Sequence, residues 1–255
     1  MAKFEPIKTG DFIIKLANTK EEFDQVYKLR YEQLLLYYNT EAVSEDGKFI
    51  DEYDEFSDHL ICIDLRNNVV SGTYRLSTKD HIKHVGKFIC ENEYDLEKLL
   101  SKNILELGRA VVREEYRDGI TIGLLWRGLM AYATLKDIEF MFGTVSFQGI
   151  DPTLYKHALG CIYYNHRSRE EIRVEAIGPT KRPMNLISEE ELDLKLARKQ
   201  MPALIRGYIH IGATFGEDVF LDIPFNSTDV FVLLEISKIN PRVLKRFASK
   251  DELDE

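Results

Sequence analysis

Several features are scarce in this 255-residue chain, and each scarcity closes off an explanation. The three cysteines, Cys62, Cys90 and Cys161, show no Cys-x-x-Cys spacing. That excludes a thiolate zinc site or a disulfide framework and suits a reducing compartment, so a cytoplasmic protein is expected. No apolar run approaches the about 18 residues that a membrane span needs. The opening Met1-Ala2-Lys3-Phe4-Glu5-Pro6-Ile7-Lys8-Thr9-Gly10 lacks the apolar core of a secretion signal. Positive charge is also short. Lys and Arg number 34 against 43 Asp and Glu, and the net charge of −9 argues against a nucleic-acid partner. Neither Gly-x-x-x-x-Gly-Lys-Ser/Thr nor Gly-x-Gly-x-x-Gly occurs. His59, His81, His84, His157, His166 and His210 have no metal-ligand spacing, so no metal is expected and structural or surface roles are assigned to them. Ser146 lacks the Gly-x-Ser-x-Gly context of a serine nucleophile. No repeat, low-complexity tract or flexible linker divides the chain.

What is present is concentrated in residues 105–136. Residues 105–112 read as an apolar strand that carries two ionisable side chains, Glu106 and Arg109. Buried charges seldom stand unpaired. On a regular strand the two point to opposite faces, each with its own partner. A bulge at Gly108 would bring them together. The charged turn that follows closes with Arg117-Asp118-Gly119, and residues 120–136 read as a long buried helix. A helix that starts abruptly after glycine presents unpaired N–H groups and a positive dipole end, which suits a phosphate-bearing ligand. Many turns before helices look alike, so the turn alone decides nothing.

Elsewhere, residues 11–16 read as a strand. Thr19 and Glu22 form a capping box for a helix whose inner row contains Phe23, Val26, Tyr27, Arg30, Leu34 and Tyr37. Arg30 is either a site residue or an arginine snorkelling from the helix edge. Residues 41–55 carry seven acidic side chains against Lys48 alone, interleaved with aromatics as in a packed loop. Residues 59–65 and 69–76 form a hairpin around Asn67-Asn68, with Arg75 near its end. Further strands are expected at 140–146, 172–177, 204–213, 219–223 and 230–236. Helices are expected at 152–165, from Ser188 onward, and at 240–247. Residues 181–206 hold six basic side chains, among them Lys195, Arg198 and Lys199, against four acids. One continuous α/β domain over residues 1–255 is the simplest organisation, with a core at about 10–180 and a C-terminal α/β extension from about 181.

The order strand, charged turn, helix, strand, helix resembles the GNAT acyltransferases, which implies a mixed central sheet flanked by helices. Acetyl-CoA-dependent members carry Arg/Gln-x-x-Gly-x-Gly/Ala at the turn. Arg117-Asp118-Gly119-Ile120-Thr121-Ile122-Gly123 departs from that pattern and points to another donor. More specifically, the chain resembles the ornithine lipid acyltransferases. The matching stretches include Leu29-Arg30-Tyr31, Asp51-Glu52-Tyr53-Asp54, Gly72-Thr73-Tyr74-Arg75-Leu76, Glu106-Leu107-Gly108-Arg109, Tyr116-Arg117-Asp118-Gly119 and Phe225-Asn226-Ser227-Thr228-Asp229. Acyl-homoserine-lactone synthases share a sparser set, matching Arg30, Asp51, Asp54, Arg75, Glu106 and Arg109.

The resemblance implies an acyltransferase that makes lyso-ornithine lipid from an acyl-carrier-protein thioester and ornithine, with no cofactor beyond the donor's phosphopantetheine. It implies Glu106 and Arg109 at the reaction centre, and Arg30, Asp51, Asp54, Arg75 and Asp229 around the acceptor. Val111, Arg117, Asp118, Gly119 and Ile120 would line the acyl-pantetheine. Glu106 is the candidate base, and Tyr163 or Tyr164 the candidate proton donor to the leaving thiolate. The basic residues would dock the acidic carrier protein, and peripheral contact with the cytoplasmic membrane face stays open. The alternatives are an acyl-homoserine-lactone or other N-acyl amino acid synthase, and a non-enzymatic carrier-protein-binding or membrane-active protein.

Overall fold

A computed structural model describes residues 3–239, so the helix expected at 240–247 lies outside the described residues. Chain contacts divide the described residues into two units. The first comprises residues 3–86 and Leu105–Ile138. Its strands β1 (Ile7–Thr9) and β2 (Phe12–Leu16) form a hairpin. Helix α1 (Lys20–Arg30) follows, started by the expected capping box of Thr19 and Glu22. Strands β3 (Asp58–Asp64) and β4 (Val69–Thr78) form the expected hairpin, with Asn68 at φ 51° in its turn. Next come β5 (Ile104–Val112) and helix α2 (Ile120–Leu135). The five strands lie in chain order, and every pairing among them is antiparallel.

Two irregularities in this unit matter later. After α1 the chain makes a π-helical turn over Tyr31–Leu35. The wider turn rotates the residues beyond it, so Tyr37, expected on the inner row, is 55% exposed while Val26, Leu29 and Arg30 are buried. In the β4–β5 ladder Thr73 pairs with Val111 and Arg75 with Gly108, so two steps on β4 face three on β5. The bulge therefore falls at Arg109-Ala110, just beyond Gly108, and Arg109 takes the left-handed conformation (φ 52°).

Helix α2 lies so close to the strands that its contacts need glycine. A Cβ on Gly128 would stand 2.6 Å from Ile14 Cγ2 and 3.0 Å from Leu60 Cδ2. A Cβ on Gly72 would stand 2.8 Å from Thr121 Cγ2.

The second unit comprises Lys87–Ile104 and Glu139–Ile239. It contains β6 (Phe140–Gln148), α3 (Lys156–Asn165), β7 (Lys181–Pro183), α4 (Leu194–Gln200), α5 (Ala203–Ile211), β8 (Thr214–Asp222) and β9 (Ser227–Glu235). Its strands run β6-β9-β8-β7, all antiparallel, over a buried aromatic group of Phe88, Tyr94, Phe142 and Phe231. Asp151 and Pro152 start the segment before α3 as expected, Asp151 accepting from the Thr153 N–H.

Three expectations need correction here. Residues 204–213 are a helix, not a strand: Ile205, Tyr208 and Ile211 are buried at helical spacing, and Gly212 (φ 96°) ends the helix with the paired C-terminal bonds of a Schellman motif. The helix assigned to Ser188 begins at Leu194, because Asp193 caps it by accepting from the N–H groups of Lys195 and Leu196. Residues 172–177 keep the alternating burial of a strand but form no ladder. Their carbonyls accept from Asp95 and Glu217, leaving only a bridge from Ala176 to Tyr94.

Replacing Gly128 by Ala should gain up to about 1 kcal/mol in helix propensity. It should lose about 1–3 kcal/mol to overpacking against Ile14 and Leu60. The expected net result is destabilisation, read as a lower urea midpoint; a higher midpoint would disprove the tight packing.

Candidate active site

The first unit folds an acidic loop over the open corner between α1 and β3–β5. The loop before β3 has no regular structure, but its Tyr53 and Asp54 are buried. Asp54 accepts at Oδ1 from Arg30 Nη1 (2.7 Å) and Arg75 Nη1 (3.2 Å), and at Oδ2 from the Asp51 N–H (2.8 Å). Asp51 accepts at Oδ1 from Arg75 Nη1 (2.5 Å) and the Tyr53 N–H (3.0 Å), and at Oδ2 from Arg109 Nη2 (2.6 Å). The result is an unbroken chain Arg30–Asp54–Arg75–Asp51–Arg109. The loop's aromatics cover it: Arg75 lies over the Tyr53 ring at 5.5 Å and Arg109 over the Phe49 ring at 4.6 Å.

Arg30 is wholly buried, which rules out the snorkelling alternative. Glu106 is 2% exposed. It shares a strand face with Gly108, which pairs with Arg75, so its carboxylate lies on the Arg75 side of the ladder and interacts electrostatically with that guanidinium. The bulge lets Arg109 reach the same cluster. Residues Arg30, Asp51, Asp54, Arg75, Glu106 and Arg109 are thus brought together, with three positive and three negative groups.

The electrostatics follow from burial and pairing. Burial pulls Arg30 down to about 10, against the attraction of Asp54. Burial alone would lift Asp51, but Arg75 and Arg109 outweigh it and hold the carboxyl below its usual value. Burial likewise opposes the charge on Arg75, and Asp51, Asp54 and Glu106 together raise it.

Sequence reasoning missed His59, which was given a generic structural role. Its Nδ1 faces Arg30 Nη2 at 2.8 Å and its Nε2 faces the Asp54 carbonyl at 3.0 Å. A regular hairpin around Asn67-Asn68 would set His59 across from Leu76; the observed register, shifted between Cys62 and Ile63, sets it across from Arg75 instead, so the sequence carried no signal for this contact.

Helix α2 starts directly after Gly119 as expected, and Gly119 takes the left-handed conformation there (φ 96°). Asp118 Oδ1 already accepts from the Ile120 N–H, and Arg117 donates to the Val112 carbonyl. Val111 is buried in the first unit's core with Val26 and Leu29. Asp229 lies in the second unit, where it accepts from Ser227 Oγ and its carboxylate is near those of Glu93 and Asp222. Also in that unit, the Tyr164 hydroxyl donates to the Ile187 carbonyl and Arg167 lies over the Tyr163 ring.

A family model described as a GNAT acetyltransferase domain matches residues 29–127, which hold the whole ion-pair chain. The L-ornithine N(alpha)-acyltransferase of Rhizobium meliloti (strain 1021) is 34% identical over 247 residues, covering 92% of this chain and 83% of that protein. The protein of the same description from Rhodobacter capsulatus is 32% identical over 244 residues, covering 90% and 92%. This chain belongs to the L-ornithine N(alpha)-acyltransferase family. Among solved structures, the acyl-homoserine-lactone synthase LasI aligns with a TM-score of 0.52 at 13% identity, over 91% of this chain and 94% of that one. BjaI, a CoA-dependent acyl-homoserine-lactone synthase, aligns at 0.51 and 12% identity, over 92% and 83%. The acyltransferase therefore has a GNAT-like fold, and it works between an acyl donor and an amino acid acceptor.

In this acyltransferase the buried ion pairs have a structural consequence. Removing one partner strands the other without water. Asp54→Ala leaves Arg30 and part of Arg75 uncompensated and should cost about 3–5 kcal/mol of folding stability. Urea denaturation measures it, and a loss under about 1 kcal/mol would show that the chain is not structural.

Proposed function

We propose that this acyltransferase moves a fatty acyl group, with or without a 3-hydroxyl, from acyl-carrier protein to the α-amine of ornithine, giving lyso-ornithine lipid. The observation that carries the mechanism is the buried Glu106 carboxylate on the Arg75 face of the bulged strand. The amine of an amino acid is mostly protonated at neutral pH, so a base must act before attack. Glu106 takes that proton, directly or through a water. The amine nitrogen then bonds to the thioester carbonyl carbon, and a backbone N–H of the bulged strand stabilises the oxyanion. Collapse breaks the C–S bond as the nitrogen gives up its second proton, the thiolate takes up one proton to leave as the thiol, and Glu106 returns the proton it first accepted to solvent. The transfer needs no metal and no covalent enzyme intermediate.

The acceptor's carboxylate is assigned to Arg109 and Arg75. Arg109 is the most exposed of the three arginines in the ion-pair cluster, with 23% of its side chain open to solvent. Arg75 Nη2 is buried without a hydrogen-bond partner among the described residues, beside the space that Gly108 leaves by having no side chain. An anion there would satisfy a donor that is otherwise costly to bury. Asp51 and Asp54 each already accept three hydrogen bonds, so their assigned role is to hold the arginines, not to bind the acceptor's side chain. The Arg117–Ile120 turn is assigned to the donor's phosphate. Lys195, Arg198 and Lys199 are exposed on α4 and suit an acidic carrier protein. Among the described residues no helix is long and apolar enough to cross a membrane. The amphiphilic product is consistent with peripheral contact at the cytoplasmic face.

Two measurements test this reading. Purified Glu106→Gln should lose about 10²–10⁴-fold in kcat, measured as thiol released from acyl-carrier protein on addition of ornithine, and near-normal turnover would remove Glu106 as base. Reversing the charges of Lys195, Arg198 and Lys199 should raise KM for acyl-carrier protein and weaken its salt dependence, and an unchanged KM would remove that patch.

A further inference from the structure

We propose that His59 is a positioning residue of the acyl-transfer site: it holds Arg30 and the Asp54 backbone in place, and through the ion-pair chain it orients Arg109 toward the acceptor. The proposal rests on the reading above that Arg109 and Arg75 bind the acceptor's carboxylate. A guanidinium only donates, so the His59 Nδ1 that faces Arg30 Nη2 must offer a lone pair. The proton then sits on Nε2 and is donated to the Asp54 carbonyl. Only this neutral tautomer satisfies both contacts. Phe23 and Tyr27 pack edge-on against the imidazole, with centroids 5.4 and 5.9 Å away, and hold its plane.

From His59 each link shares a residue with the next: Arg30, Asp54, Arg75, Asp51, Arg109. The titratable and charged groups facing the ring are Arg30 and Tyr27 from α1, Asp54 from the loop and Arg75 from β4. Burial first, and Arg30 next, pull the imidazole from its usual 6.5 to about 4. The folded value lies below the unfolded one, so the unfolded chain takes up the proton first. The stability these contacts contribute is therefore constant above pH 6.5 and falls as the pH drops from 6.5 toward 4, where His59 in the folded protein takes up a proton and the contacts break.

His59→Phe keeps the ring packing and removes both hydrogen bonds. His59→Asn restores an acceptor near the Nδ1 position. The Phe variant should raise KM for ornithine by about tenfold, with KM for the acyl thioester nearly unchanged, and the Asn variant should recover part of that loss. ¹⁵N NMR of histidine-labelled wild-type protein should show an Nε2–H tautomer that titrates near pH 4, and Arg30→Met should move that titration toward 6.5. An Nδ1–H tautomer overturns the proposal without recourse to any variant. A wild-type ornithine KM in both His59 variants overturns it as well. A wild-type ornithine KM in Arg109→Lys overturns the acceptor reading and the proposal with it, whereas failure of the His59 variants alone leaves the acceptor reading standing.

Discussion

Three guanidinium groups can share one buried corner only if carboxylates are buried with them. Arg30 and Arg75 are almost without solvent contact, so each needs an opposite charge at hydrogen-bonding distance. That need explains the acidic loop. Asp51 and Asp54 come from one short turn, in which the Asp51 N–H donates to the Asp54 carboxylate and fixes the two side chains relative to each other. The loop has no helix or strand to hold it. Its order comes from the charges it neutralises and from the aromatic rings that cover them.

The bulge in β5 answers the same constraint from the other side. A regular strand would turn Arg109 away from the face that carries Glu106 and Gly108. The extra residue puts Arg109 at φ 52°, a conformation that costs an ordinary residue about 1–2 kcal/mol. The ion pair with Asp51 and the stacking on Phe49 offset that cost. Glycine would sit there without strain but would break the chain at its most exposed arginine.

Much of this was legible in the sequence, and the reasons differ from element to element. The capping box of α1, the hairpin at Asn67-Asn68 and helix α2 rest on local signals and appear as expected. The charged residues at Arg30, Arg75, Glu106 and Arg109 stood out because charge in an apolar row needs an explanation. The bulge was placed one residue early, because glycine is the usual left-handed residue and here an arginine takes that role. Residues 204–213 were misassigned because a short apolar run has no period of its own, although Gly212 was the stop signal that would have decided it. The partners of the charges were not legible: no local pattern says that Asp51 bridges Arg75 to Arg109, or that His59 touches Arg30.

The pairing also divides labour among the carboxylates. Two guanidiniums hold Asp51 below its usual value despite burial, so it keeps its charge and is a poor proton acceptor at neutral pH. Asp54 spends both oxygens on Arg30, Arg75 and the loop backbone. Of the three carboxylates, the proposed proton acceptor is Glu106, which lies on the strand beside the bulge. A site that must remove a proton from a cationic amine while gripping a carboxylate needs fixed positive charge and one basic group close together without mutual neutralisation. Tying up Asp51 and Asp54 as internal counter-ions suits the proposed arrangement: the arginines remain charged and oriented, and the proposed base is a different residue.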